Sequence, residues 1–86
     1  MSYQIIVHSD VKDTLKKIVK KDKSLYQRIK KKIQDLSENP EIGKPLCNVL
    51  KGCWRVHIGH FVLIYEFNKV ENTITFLKFE HHDDAY

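Results

Sequence analysis

The apolar pattern of this chain changes period at Asn39-Pro40, and few folds accommodate that change. Before it, apolar residues recur at helical spacing. Val11, Leu15, Ile18 and Val19 make one stripe, and Leu25, Ile29, Ile33 and Leu36 make a second. After it the spacing is that of strands. Trp54, Val56 and Ile58 alternate with Arg55 and His57, so these two project from one strand face. Phe61 to Tyr65 is an unbroken apolar run, as expected for a central strand covered on both sides.

The remaining segments join these pieces. Tyr3 to His8 is a β-prone opening strand, and Ser9 and Asp10 follow as candidate helix caps. Asp22 and Ser24 offer a break and a new cap, although one bent helix fits the same spacing. Pro40 to Pro45 reads as a loop, Gly59-His60 and Asn68 to Asn72 as turns, and Thr73 to Glu80 as the last strand. The order β-α-α-β-β-β predicts an α+β fold. An N-terminal strand and a helical hairpin are expected to pack on one face of a mostly antiparallel sheet of about four strands.

Length and composition narrow the class. The 86 residues suffice for one domain, expected to span residues 1–86, with a thin core. No apolar run approaches the roughly 20 residues that span a bilayer, and Met1-Ser2-Tyr3-Gln4 lacks the charged start of a secretory signal. A cytoplasmic domain with no membrane attachment is expected. Cys47 and Cys53, six apart, are too few to staple a small secreted protein and are expected to be reduced and half-buried.

Charge is unevenly spread. Residues 1–44 carry 11 basic and 6 acidic side chains, a net of +5, while residues 45–86 carry 4 and 5, a net of −1. The basic half is a candidate surface for a polyanion or an acidic protein, against the plainer reading of a solvated helix face. Lys12, Lys16, Lys20, Lys23, Lys30 and Lys31 on the helices, with Lys51 beyond them, are the candidate contacts if that partner is a nucleic acid.

No phosphate loop, nucleotide fingerprint or zinc-protease motif is present in the sequence. Cys47, Cys53, His57 and His60 read C-x5-C-x3-H-x2-H, which lacks the close cysteine pair of structural zinc sites; neither metal nor any other cofactor is expected. What remains is imidazole and guanidinium: His57, His60, His81 and His82 beside Arg55 and Tyr86. Metal-free RNA cleavage needs a base for the 2′-OH, a cation for the phosphate and an acid for the leaving 5′-oxygen. Histidine suits the first and third tasks and arginine the second. A last strand ending in His81-His82 would add imidazoles to the Arg55–His57 face if the two strands were neighbours; otherwise the pair is a polar tail.

A basic helical hairpin, then Leu50-Lys51-Gly52-Cys53-Trp54-Arg55-Val56-His57-Ile58-Gly59, then Leu63-Ile64-Tyr65 and a terminal His-His-x-x-Ala-Tyr together resemble the RelE/ParE toxin superfamily. They resemble above all the RelE-type mRNA interferases of type II toxin–antitoxin systems. The resemblance spans essentially the whole chain and implies a RelE-like fold. It also implies a ribosome-dependent endoribonuclease that cuts mRNA in the A site by attack of a 2′-OH on the 3′-phosphate. A RelB-like antitoxin would hold it inactive, the free toxin being a monomer and the complex a heterotetramer. Catalytic roles are implied for Arg55 and His57 at the family's basic strand positions, for His81 and His82 at its C-terminal basic positions, and for Tyr86 at its base-orienting tyrosine. The chain departs from the pattern at Val62, where interferases carry a phosphate-binding arginine. The alternatives are a ParE-like toxin that poisons DNA gyrase by binding, a decayed toxin, or a zinc-stabilised RNA-binding module.

Overall fold

A computed structural model describes residues 2–45 and 52–81. Strand β1 (Gln4–Val7) leads into helix α1 (Ser9–Lys21) and helix α2 (Lys23–Glu38). A 3-10 turn (Pro40–Ile42) and the short strand β2 (Lys44–Pro45) follow, and β3 (Trp54–Ile58), β4 (Phe61–Asn68) and β5 (Thr73–His81) complete the chain. No helix among the described residues is long and apolar enough to cross a membrane.

The cap of α1 is His8, one residue before the expected Ser9 and Asp10. His8 has extended backbone, and its Nδ1 accepts the Asp10 N–H at 3.3 Å while its carbonyl accepts from Val11 and Lys12. Asp10 instead sits in the first turn, where its charge suits the positive end of the helix dipole. The choice between one bent helix and two resolves at Asp22. Its backbone is extended, its N–H donates to Ile18 to close α1, and its carboxylate accepts from Leu25 N–H at 3.0 Å to open α2. One residue therefore serves as end cap and start cap, which makes the hairpin tight.

The sheet has five strands in the order β1-β5-β4-β3-β2, one more than expected. The extra strand comes from the segment anticipated as loop, where Lys44 and Pro45 pair with Arg55 and Trp54. Pairing is antiparallel except between β1 and β5, which run parallel because the helical hairpin carries the chain back across the sheet. A bulge interrupts β4–β5 pairing: Ile64 lies opposite Lys78 but Tyr65 lies opposite Phe76, so Leu77 is the extra residue. That slip lets Phe76 and Phe79, an odd number of positions apart, both face the helices. They join Ile58, Leu63, Tyr65 and Ile74 against Val11, Ile18, Ile29 and Leu36 in one core.

Tyr65 carries the polar group at the centre of this core. Fully buried, its hydroxyl donates to the Pro40 carbonyl at 2.5 Å and accepts the Gly43 N–H at 3.2 Å. The phenol therefore fixes the chain leaving α2 onto the middle strand. Gly43 is required there, because a Cβ would collide with the Arg55 carbonyl and the Tyr65 hydroxyl.

Tyr65→Phe would leave a buried carbonyl and an amide unpaired, and is expected to cost about 1–3 kcal/mol in urea unfolding at pH 7. Burial, outweighing the Gly43 hydrogen bond, raises the Tyr65 pKa above its ordinary 10.0. The folded state therefore retains a proton that the unfolded chain releases. This contribution is complete below pH 10 and is lost as pH rises through the raised value. The stability gap between wild type and Tyr65→Phe should narrow over that alkaline range, as unfolding midpoints measured from pH 8 to 11 would show.

Candidate functional site

Strand alternation gives the sheet two unlike faces. One packs on the helices. The other carries Arg55 and His57 from β3, Val62, Ile64 and Glu66 from β4, and Lys78 and Glu80 from β5. The register sets these in two rows across the sheet, Lys44–Arg55–Ile64–Lys78 and His57–Val62–Glu80. Arg55 and Lys78 are separated by one strand, so their backbones stand about 10 Å apart. Lys44 and Arg55 are directly opposite. Like charges so placed destabilise a sheet, a cost that an anion lying over the row would offset.

The centre of this face is apolar. Val62 and Ile64 are fully buried and form a second cluster with Cys53 at its margin. Cys53 is a half-buried free thiol as anticipated, and burial, with Glu66 adding to it, pushes its pKa up and keeps it neutral. Val62 is thus enclosed, with no room beside it for a solvated guanidinium. The cations of the face stand around it.

The face unites some of the expected site residues and separates others. Arg55 and His57 share it as the alternation predicted. His81 does not join them: β4 lies between β3 and β5, and His81 falls on the helix side of β5. There its ring stacks on His60 with centroids 6.1 Å apart and 18° between planes, and meets the edge of Phe61 at 5.4 Å. His60 is exposed in the β3–β4 turn. His82, Tyr86, Lys51 and Cys47 lie outside the described residues. Lys12, Lys16 and Lys20 are exposed on α1, which packs over β5, away from Arg55. Lys23, Lys30 and Lys31 are exposed on α2, with the Lys30 Nζ 5.7 Å above the Tyr26 ring. Lys31 does approach the site, in a cleft between α2 and β3 that it lines with Arg28, Lys32, Asp35, His57 and Ile58.

Sequence reasoning missed Lys44, Lys78 and Glu80. Lys44 was hidden by reading its segment as loop. Lys78 and Glu80 alternate with Phe79, a signal that was available, but the bulge at Leu77 breaks the alternation before them and obscures which side they take.

Comparison with known proteins identifies this framework. Residues 5–86 match the family described as the ParE toxin of type II toxin–antitoxin systems, parDE. The chain belongs to the ParE toxin family. A Methanocaldococcus jannaschii protein carrying a RelE toxin name (RelE4) is 34% identical over 98% of this chain and 90% of its own length. Among solved structures, a chain of the RelBE2 toxin–antitoxin complex of Mycobacterium tuberculosis superimposes with a TM-score of 0.80 at 23% identity, covering 94% of this chain and 99% of that one. A chain of the archaeal RelE–RelB complex of Pyrococcus horikoshii gives 0.77 at 23% identity, covering 99% and 100%. These structural likenesses bear on the fold, which is the RelE-like α+β fold expected. The chain is a toxin of a type II toxin–antitoxin system in the RelE/ParE superfamily.

Val62→Arg would restore the arginine of the interferase pattern in name but bury its charge. It should lower stability by more than about 2 kcal/mol in urea titration. An unchanged midpoint would show that position 62 reaches solvent.

Proposed function

We propose that this toxin is a ribosome-dependent endoribonuclease that cleaves mRNA without metal, its own residues performing the proton transfers. The observation that carries the reading is the row Lys44–Arg55–Ile64–Lys78 running beside His57, cations next to an imidazole around the apolar centre of one sheet face. In this scheme Arg55 holds the scissile phosphate through its planar fork, and Lys44 and Lys78 supply the charge that Val62 does not. His57 takes the 2′-OH proton. The oxygen attacks the adjacent phosphorus, and an acid protonates the departing 5′-oxygen. Because His81 lies on the helix side, the acid role of the terminal pair goes to His82, with Tyr86 orienting the base, as the family resemblance implies. The solved relatives include toxins in complex with RelB, and by that likeness a RelB-like antitoxin is the inhibitory partner, in a heterotetramer formed from a toxin that is otherwise monomeric.

The second reading is a ParE-like toxin that poisons DNA gyrase by binding. The family match itself and the enclosed, apolar Val62 favour it.

Primer extension on a defined mRNA in a translating extract separates the two. Codon-phased cuts are expected with wild type. Arg55→Ala should slow them by about 10²–10³-fold and His57→Ala by about 10²–10⁴-fold. Intact mRNA together with gyrase inhibition would install the second reading.

A further inference from the structure

The helical layer carries many cations, and among the described residues none of its lysines or arginines is held in a salt bridge. The lysine–carboxylate ion pair among the described residues is Lys69–Glu41, which involves no residue of the helices. Arg28 is the most telling of these cations. It is exposed, and its guanidinium lies over the β3–β4 turn, with Nη1 3.6 Å from where a Cβ on Gly59 would sit. Gly59 itself takes a positive φ of 61°. No hydrogen bond or ion pair holds Arg28 among the described residues.

Arg28 also connects two clefts. On one side it lines the cleft of about 300 Å³ between α2 and β3 that contains Lys31, Lys32 and His57. On the other it lines a cleft of about 390 Å³ that contains the stacked His60–His81 pair and Phe61. His57 makes a second connection, to a cleft shared with Lys44 and Arg55. Among the described residues β2 pairs with Trp54 and Arg55, and the edge of β3 beyond Arg55 faces α2. Successive clefts share a lining residue, Arg28 or His57, and each holds at least one lysine or arginine. Asp35 and Asp22 line the two that meet at Arg28, and in the first of these the cations outnumber Asp35 three to one.

We propose that this edge is a track for a single RNA strand, its phosphates resting on Lys44 and Arg55, then on Lys31 and Lys32, then on Arg28, with an unpaired base against the His60–His81 stack. The proposal takes its RNA partner from the endoribonuclease reading and goes beyond it in assigning Arg28, Lys32 and His60. An acidic peptide would also be drawn to the cations. The planar groups favour RNA: a guanidinium with no carboxylate partner among the described residues and a ring pair at the end of a basic groove are what stacking on unpaired bases uses, and a carboxylate chain has no need of them.

The test is anisotropy with a fluorescein-labelled ten-nucleotide oligouridine, titrated at several salt concentrations. Each phosphate contact on a single strand contributes about 0.7 to the slope of log K against log salt. Arg28→Gln should therefore reduce that slope by about 0.7. His60→Ala should weaken binding about tenfold with the slope unchanged, since stacking releases no counterion. Lys69→Ala, a charge removed at the far hairpin, should alter neither. Unchanged affinity and slope in Arg28→Gln, with mRNA still cut in the translating extract, would overturn the track while leaving the nuclease reading intact. Arg28-dependent binding of oligouridine without mRNA cleavage would support the track and sink the nuclease reading. Arg28-dependent binding of a ten-residue glutamate peptide, with no binding of oligouridine, would overturn the track in favour of an acidic protein.

Discussion

The buried hydroxyl of Tyr65 is the point on which the remaining geometry depends. It joins the chain leaving α2 to the central strand by accepting from Gly43 and donating to Pro40. Only with that segment fixed can Lys44 and Pro45 lie beside β3 and place Lys44 opposite Arg55. A phenol suits the position because its ring belongs to the core while its single polar atom both donates and accepts. The same contact holds the chain just ahead of β2, which begins at Lys44 opposite Arg55. The edge of β3 is paired at Arg55 and faces α2 beyond it.

The sheet's two faces divide the tasks of stability and recognition. Nearly all of the fully buried side chains lie between the helices and the sheet. Among the described residues the opposite face keeps the small Val62–Ile64 cluster, and around it stand Arg55, Lys78, His57 and Glu80. Opposed cations there weaken the sheet, yet the helix-side core is continuous enough to carry them. Because the apolar centre is dry, a phosphate approaching its rim would meet charges less screened than those on an open surface.

Most of the fold was legible because two local rules acted without interference. The helical stripes ended at Asn39-Pro40, and Asp22 offered a carboxylate where a new helix needed one. The strands from Trp54 onward alternated as a half-buried sheet must. The misreadings arose where tertiary contacts override local pattern. Nothing within Pro40 to Pro45 announces a strand, because what holds it is Tyr65, some twenty residues away. His8 caps α1 with a ring nitrogen, which cap preferences rank below the Ser and Asp that follow it. For the candidate site, the shared face of Arg55 and His57 was legible from spacing alone. The parting of His81 from them was not, because it depends on β4 lying between their strands.

The bulge at Leu77 bears on how this chain can change length. A regular strand that loses a residue turns every side chain beyond the gap onto the wrong face. Here the ladder on either side of Leu77 is already in phase with β4, Phe76 opposite Tyr65 and Lys78 opposite Ile64. Excising Leu77 would join those two ladders into one uninterrupted strand and leave Lys78, Glu80 and His81 on the sides they now occupy. The last strand therefore contains one position at which a deletion is silent in orientation, and a homologue one residue shorter there could keep the same rim of charges.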